Sequence, residues 1–187
     1  MKIHETSLSG LYIITPKLNE DSRGYLFESF RSNNFESNLL PTDFVQENQS
    51  LSKKGTLRGL HYQLKYPQGK LVWVAKGAVI DIAVDIRKNS PTFGKSFSAT
   101  LDDKKHMRLY IPPGFAHGFF VLSDYAIFQY KCTEYYHPED EYGIYWNDKS
   151  LKIDLGDSKK VISEKDALLP KLNEVDSSLL PNMALIF

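Results

Sequence analysis

Short β-compatible stretches recur along this chain at intervals too close for a helical protein, and Gly or Pro falls between most of them. The clearest are Lys70 to Ala75 and Ala78 to Arg87, separated by Lys76-Gly77, where glycine supplies the positive φ of a tight turn. In the second of these, Ile80, Ile82, Val84 and Ile86 share one face, and Asp81, Ala83, Asp85 and Arg87 share the other. A two-residue hairpin loop would set Lys70 opposite Ala83 and Val72 opposite Asp81, so that Lys70 and Asp81 look the same way. Further strands are predicted at Phe44 to Gln49, Thr56 to Gln63, Lys95 to Ala99, Arg108 to Ile111, Gly118 to Leu122 and Ala126 to Thr133, with a weaker one at Leu11 to Thr15. Such a series predicts a mainly β protein, a jelly roll or related barrel.

Helical signal is thin. A short helix is expected from Asn33 to Leu40, behind Ser32 and ended by Pro41. A second follows Ser163, where Ser163-Glu164-Lys165-Asp166 reads as a variant capping box. The pattern weakens in the tail, about 172–187, whose apolar end Met183 to Phe187 suits docking on the body or on a partner.

With 187 residues the chain is expected to form one domain, 1–187, around one core. Lys plus Arg and Asp plus Glu stand at 23 each, so no global field favours nucleic acid or an anionic membrane. Any anion must be held locally. One cysteine, Cys132, leaves no intramolecular disulfide and suits a reducing compartment. No signal-like h-region or span of about 18 apolar residues is present, which predicts a cytoplasmic protein and leaves the Asn48-Gln49-Ser50 sequon unused.

Two segments hold more polar and aromatic groups than plain strands need: Gly55-Thr56-Leu57-Arg58-Gly59-Leu60-His61-Tyr62-Gln63 and Ile111-Pro112-Pro113-Gly114-Phe115-Ala116-His117-Gly118-Phe119. Both resemble cupin motifs, which imply a cupin-type double-stranded β-helix, a jelly-roll barrel with a few short helices. The pattern's Pro-x-Gly-x-x-His survives at Pro112 to His117. Its second metal-binding His is replaced by Gln63, and Lys70 stands in the region of its carboxylate. An ammonium and a neutral amide are poor company for a transition metal, so no metal or other cofactor is expected. An imidazole and an oxyanion-stabilising Lys remain, which suits proton abstraction next to a carbonyl.

Those motifs, with Phe44 to Ser50, Pro67-Gln68-Gly69-Lys70-Leu71-Val72, Asp85 to Gly94 and Trp146-Asn147-Asp148, strongly resemble the dTDP-4-dehydrorhamnose 3,5-epimerase family over roughly residues 8 to 170. The resemblance implies a metal-free homodimer that inverts C3 and C5 of a dTDP-4-keto-6-deoxyhexose on the route to dTDP-L-rhamnose. Carried over by position, His61 is the base, Asp166 its orienting carboxylate, Lys70 the stabiliser of the enolate, and Tyr130 the acid on the opposite face. Arg23, Glu28, Gln46, Asn48, Arg58, His117, Glu141 and Lys165 correspond to contacts with the diphosphate and nucleoside, and Tyr136 to the ring that stacks on thymine. The N-terminal arm, about 1–30, with Asp21 to Glu28, would reach into the neighbouring subunit.

Plainer readings stand beside these. Asp166 also fits the N3 position of a helix cap. Tyr130 fits a core tyrosine with its hydroxyl on backbone, Lys70 fits a simple pair with Asp81, and Arg23 and Arg58 fit surface charges. Trp73, where a basic residue is common in the family, and Asp154-Leu155-Gly156, in place of Asp/Glu-Trp-Pro, are departures. They leave room for a 3-epimerase or ketoisomerase on a related dTDP-sugar. Other classes are a non-catalytic cupin that binds a nucleotide sugar and a metal-dependent cupin oxygenase; the latter is disfavoured by Gln63 and Lys70.

Overall fold

The computed structural model of the chain describes residues 1–183. Its strands are β1 (Lys2–Glu5), β2 (Tyr12–Thr15), β3 (Asn19–Asp21), β4 (Gly24–Leu26), β5 (Gln46–Lys53), β6 (Leu57–Gln63), β7 (Lys70–Lys76), β8 (Ala78–Asp85), β9 (Ser96–Asp102), β10 (Arg108–Ile111), β11 (Phe115–Val121), β12 (Tyr125–Cys132) and β13 (Glu141–Gly143). They form a six-stranded sheet in the order β1-β2-β10-β7-β12-β5, a five-stranded sheet β13-β6-β11-β8-β9, and the small β3-β4 hairpin. All strand pairings are antiparallel. The mainly β jelly-roll expectation therefore holds, and the predicted strands are present with ends moved by a few residues. The strands absent from the sequence reading, β1, β3, β4 and β13, have three or four residues each, too few for a periodic signal.

The alternation within strands sorts side chains into layers. Val72 and Val74 of β7, Val79 and Ala83 of β8, Phe119 of β11 and Phe128 of β12 meet between the two large sheets. The opposite face of β8, with Ile82 and Val84, packs with Leu60, Phe120, Leu151, Leu155, Leu172 and Leu180 in a second cluster. The opposite face of β7, with Leu71 and Trp73, packs with Phe35, Leu40 and Tyr110 in a third. The face of β8 that carries Asp81 is thus the one that looks into the barrel.

One expectation is overturned. β7 and β8 do not form a hairpin: β7 pairs with β10 and β12, and β8 with β9 and β11. At Gly77 the chain crosses from one sheet to the other. Its φ is +86°, and a Cβ there would collide with the Tyr125 carbonyl, so glycine is required by a crowded corner between sheets. Lys70 and Asp81 still look into the same interior, because facing strands of two sheets share the space between them.

The first helix, α1 (Ser32–Glu36), is shorter than expected, with Arg31 rather than Ser32 as its N-cap. The chain leaves it through Leu39 in a left-handed conformation, which returns buried Leu40 to Phe35, its N–H donating to the Phe35 carbonyl at 3.0 Å. The second, α2 (Glu164–Ala167), begins where expected, with Ser163 Oγ accepting from Asp166 N–H at 3.1 Å. The tail docks on its own body through buried Leu172 and Leu180, and Pro181 O accepts from Lys88 N–H at 2.7 Å. Of the apolar end expected to dock, residues 184–187 lie outside the described residues.

Candidate active site

The open mouth of the barrel holds a cleft of about 540 Å³, within the size range of small-ligand sites. Its walls come from β5, β6, β7, β11, β12 and β13, with α2 at the rim. Strand β6 brings His61 to it. Gly59, two residues earlier, has φ +108°, and a Cβ there would stand 2.6 Å from the His117 carbonyl. Glycine at 59 therefore lets β6 and β11 close together, with His61 directly opposite His117.

Asp166 reaches His61 from α2. Its Oδ1 lies 2.7 Å from His61 Nε2, and its Oδ2 accepts from Gly59 N–H at 3.2 Å. The capping reading and the partner reading are both correct, since backbone N–H and carboxylate of one residue serve different neighbours. The reciprocal half of the box is missing because the carboxylate is committed to β6. Burial alone would raise the Asp166 carboxyl, but the bonds from His61, Gly59 and Ser163 outweigh it and hold the group below the ordinary Asp value. His61 Nδ1 is left toward the cleft, 3.8 Å from Glu141 Oε1.

Lys70 and Tyr130 enter from the other sheet. Lys70 is the cross-strand partner of Cys132, and Tyr130 shares the inward face of β12 two residues away. Desolvation holds the Lys70 ammonium below the ordinary lysine value, opposed by Cys132, Glu141 and Asp81. Tyr130 is pushed up to about 12, mainly by burial. Among the described residues neither its hydroxyl nor the Lys70 ammonium has a hydrogen-bond partner, so the core-tyrosine and simple Lys70–Asp81 pair readings do not describe them. Asp81 instead accepts from, or pairs with, His117, Oδ2 to Nε2 at 2.9 Å.

Around this centre stand Arg58, with Nε donating to Ser52 Oγ at 3.1 Å, and Lys165, which pairs with Glu141. Gln46 and Asn48 lie on the inward face of β5, linked at 3.1 Å, and Gln46 Oε1 accepts from Tyr136 N–H at 2.8 Å. The half-exposed Tyr136 ring stands beside Glu141. Arg23 and Glu28 are not brought to the cleft. Arg23 is exposed and pairs with Asp21 in the β3-β4 hairpin, and Glu28 pairs with Arg31. Gln63 is occupied structurally, with its amide donating to Tyr66 O and Tyr135 O and accepting from His137 N–H. The cleft is also lined by Ser163, which the sequence marks only as a helix cap, and by Phe119 and Phe128, whose parts as walls no sequence pattern announces.

The family model described as dTDP-4-dehydrorhamnose 3,5-epimerase matches residues 5–174. The chain belongs to that family. The dTDP-4-dehydrorhamnose 3,5-epimerase of Methanothermobacter thermautotrophicus is 48% identical over 174 residues, 91% of this chain and 94% of the relative. A crystal structure of the dTDP-6-deoxy-D-glucose-3,5-epimerase of Legionella pneumophila, in complex with dTDP-4-keto-L-rhamnose, superimposes with a TM-score of 0.92. It is 49% identical and covers 97% of each chain. A 3'-monoepimerase from Streptomyces bikiniensis, in complex with dTDP-quinovose, also reaches 0.92, at 30% identity over 97% of this chain and 93% of that one. Like these epimerases the chain is an isomerase by family, and among the described residues no helix is long and apolar enough to cross a membrane.

Proposed function

We propose that the protein converts dTDP-4-dehydro-6-deoxy-D-glucose to dTDP-4-dehydro-L-rhamnose, inverting C3 and C5 by proton abstraction and return. The observation that carries this reading is the His61–Asp166 pair at 2.7 Å in a cleft that also receives Lys70 and Tyr130 from the opposite sheet. Both C3 and C5 are α to the C4 ketone. His61 Nδ1 takes the proton, the C–H pair moves into the ring, and the charge collects on the C4 oxygen as an enolate. Lys70 stabilises that oxygen. Asp166 fixes the imidazole's tautomer and stabilises its protonated form. Tyr130 then donates its proton to the carbon from the other face, and the ketone is restored.

Arg58 supplies a guanidinium suited to a diphosphate. Gln46, Asn48, His117, Glu141 and Lys165 supply further polar contacts, and Tyr136 a face for thymine. Arg23 and Glu28, outside the cleft, would complete the site of a second subunit in a homodimer through the arm that carries them. The reaction needs nothing beyond these side chains, and we place it in the cytoplasm in a single domain.

A second reading, epimerisation at C3 alone, is favoured by the likeness to the 3'-monoepimerase. Incubation with dTDP-4-keto-6-deoxyglucose in D₂O, followed by NMR, separates the two. Deuterium at both carbons is the expected result; deuterium at C3 alone selects the second reading, and none at either carbon rejects both.

A further inference from the structure

Five aspartates are buried among the described residues: Asp81, Asp85, Asp140, Asp148 and Asp166. Four have both oxygens engaged. Asp85 holds Arg87, Ser90 and Thr92. Asp140 accepts from the Lys65 and Tyr66 N–H groups, and Asp148 from Ser150 and Leu172. Asp166 holds His61 and Gly59.

Asp81 differs from all of them. It is 0% exposed, its Oδ2 meets only His117 Nε2, and its Oδ1 has no partner among the described residues. Burying a carboxylate away from water is costly unless something repays its desolvation. Asp81 ties down no loop, caps no helix and closes no turn. The groups it acts on are His117, which lines the cleft, and Lys70, whose charge it favours from across the barrel.

Resting on the epimerase reading above, we infer that Asp81 is a positioning residue of the reaction. It holds the second imidazole of the cleft by Nε2, so that His117 offers Nδ1 to the bound molecule, and its charge, with that of Glu141, favours the Lys70 ammonium that faces the forming enolate. The cleft would thus contain two imidazole–carboxylate pairs with different work. His61–Asp166 carries the proton, and His117–Asp81 sets the field and the contact around it. An unpartnered buried oxygen fits an electrostatic role, since a carboxylate there acts on Lys70 without a direct bond. Phe128 stacks near the His117 ring, 6.1 Å between centroids, as part of the same cleft wall.

The test uses the full chain and dTDP-4-keto-6-deoxyglucose in D₂O. Asp81→Asn keeps the shape and removes the charge; Asp81→Ser is a second variant with room for a water. Turnover is expected to fall about tenfold or more, the scale on which outer partners of functional histidines act, mainly in kcat. The alkaline limb of kcat/KM should move to lower pH, because a charge that favours the Lys70 ammonium has been removed. The other groups facing Lys70 remain in place: Glu141, Asp166, His61 and His117, with Tyr130, Cys132, Arg58 and Lys165. In a double-mutant cycle, Asp81→Asn and His117→Ala should be non-additive.

Wild-type turnover with an unshifted alkaline limb in either folded variant overturns the inference, as does strict additivity with His117→Ala. Failure of both variants to fold also overturns it, since Asp81 would then be a core requirement. If the wild-type chain itself exchanges no deuterium, the epimerase reading fails, a result distinct from all of these.

Discussion

His61 and His117 are direct partners across the β6–β11 pairing, and each meets a buried carboxylate through Nε2. The two carboxylates arrive by different routes. Asp81 comes from β8, the strand next to β11, whereas Asp166 comes from a one-turn helix 105 residues beyond His61. The base candidate is therefore held by a long-range contact, and its geometry depends on how α2 is anchored.

Replacing His61 by Ala should abolish deuterium exchange at both carbons, a loss of about 10²–10⁴-fold for a general base. Asp166→Asn should lower kcat while leaving the protein folded, because Asn can still accept from Gly59 N–H. Exchange measured by NMR in D₂O checks both. Near-normal exchange in His61→Ala would assign the base elsewhere.

Tyr130→Phe separates abstraction from return. Deuterium exchange should persist while net inversion falls, since the first step does not use the phenol. As the phenol is pushed up to about 12, it stays protonated at neutral and mildly alkaline pH. Activity lost to Tyr130 ionisation should therefore set in only toward that value, read from a kcat profile.

Asp85 and Arg87 form a wholly buried pair, with Arg87 Nε and NH2 donating at 2.9 and 2.8 Å and the guanidinium over the Phe115 ring. Asp85→Asn should destabilise the protein by about 3–5 kcal/mol, because it strands a buried cation. Urea unfolding at pH 7 measures this.

The same pair sets an acid limit. Burial by itself raises the Asp85 carboxyl, but bonds from Arg87, Ser90 and Thr92 prevail and hold it below the ordinary Asp value. A depressed folded pKa gives stability that is present above the unfolded value of about 3.9 and lost as pH falls through the folded value. The gap in stability between wild type and Asp85→Asn should be widest near neutrality and close as pH drops below about 4. A gap independent of pH would contradict this.

Gly59→Ala should reduce stability and exchange together. The added Cβ meets backbone, the His117 carbonyl and Gly118 Cα at 2.6 and 2.7 Å, and no side-chain rotation relieves it. A variant with unchanged melting temperature and activity would show that β6 and β11 need not approach so closely.

Much of this was legible in the residues. The period of two in β8 separates Ile82 and Val84 from Val79 and Ala83, and the structure sends them to different clusters. Ser163 marks the start of α2 because a hydroxyl at that position satisfies a helix N–H locally. Other features were not legible. The Lys76-Gly77 turn is chemically suited to a hairpin, yet competition from β10 and β12 on one side and β9 and β11 on the other sends its strands into different sheets.

The sequence by itself determined a mainly β chain, its family motifs and the residue types of the cleft, because periodicity, turn chemistry and spacing are local properties. Tertiary structure decided which groups meet. It put Asp166 on His61, left the Lys70 ammonium and the Tyr130 hydroxyl without hydrogen-bond partners among the described residues, and gave Asp81 to His117 rather than to Lys70. Those pairings join strands of two sheets and a distant helix, and only closure of the barrel brings them within hydrogen-bond range.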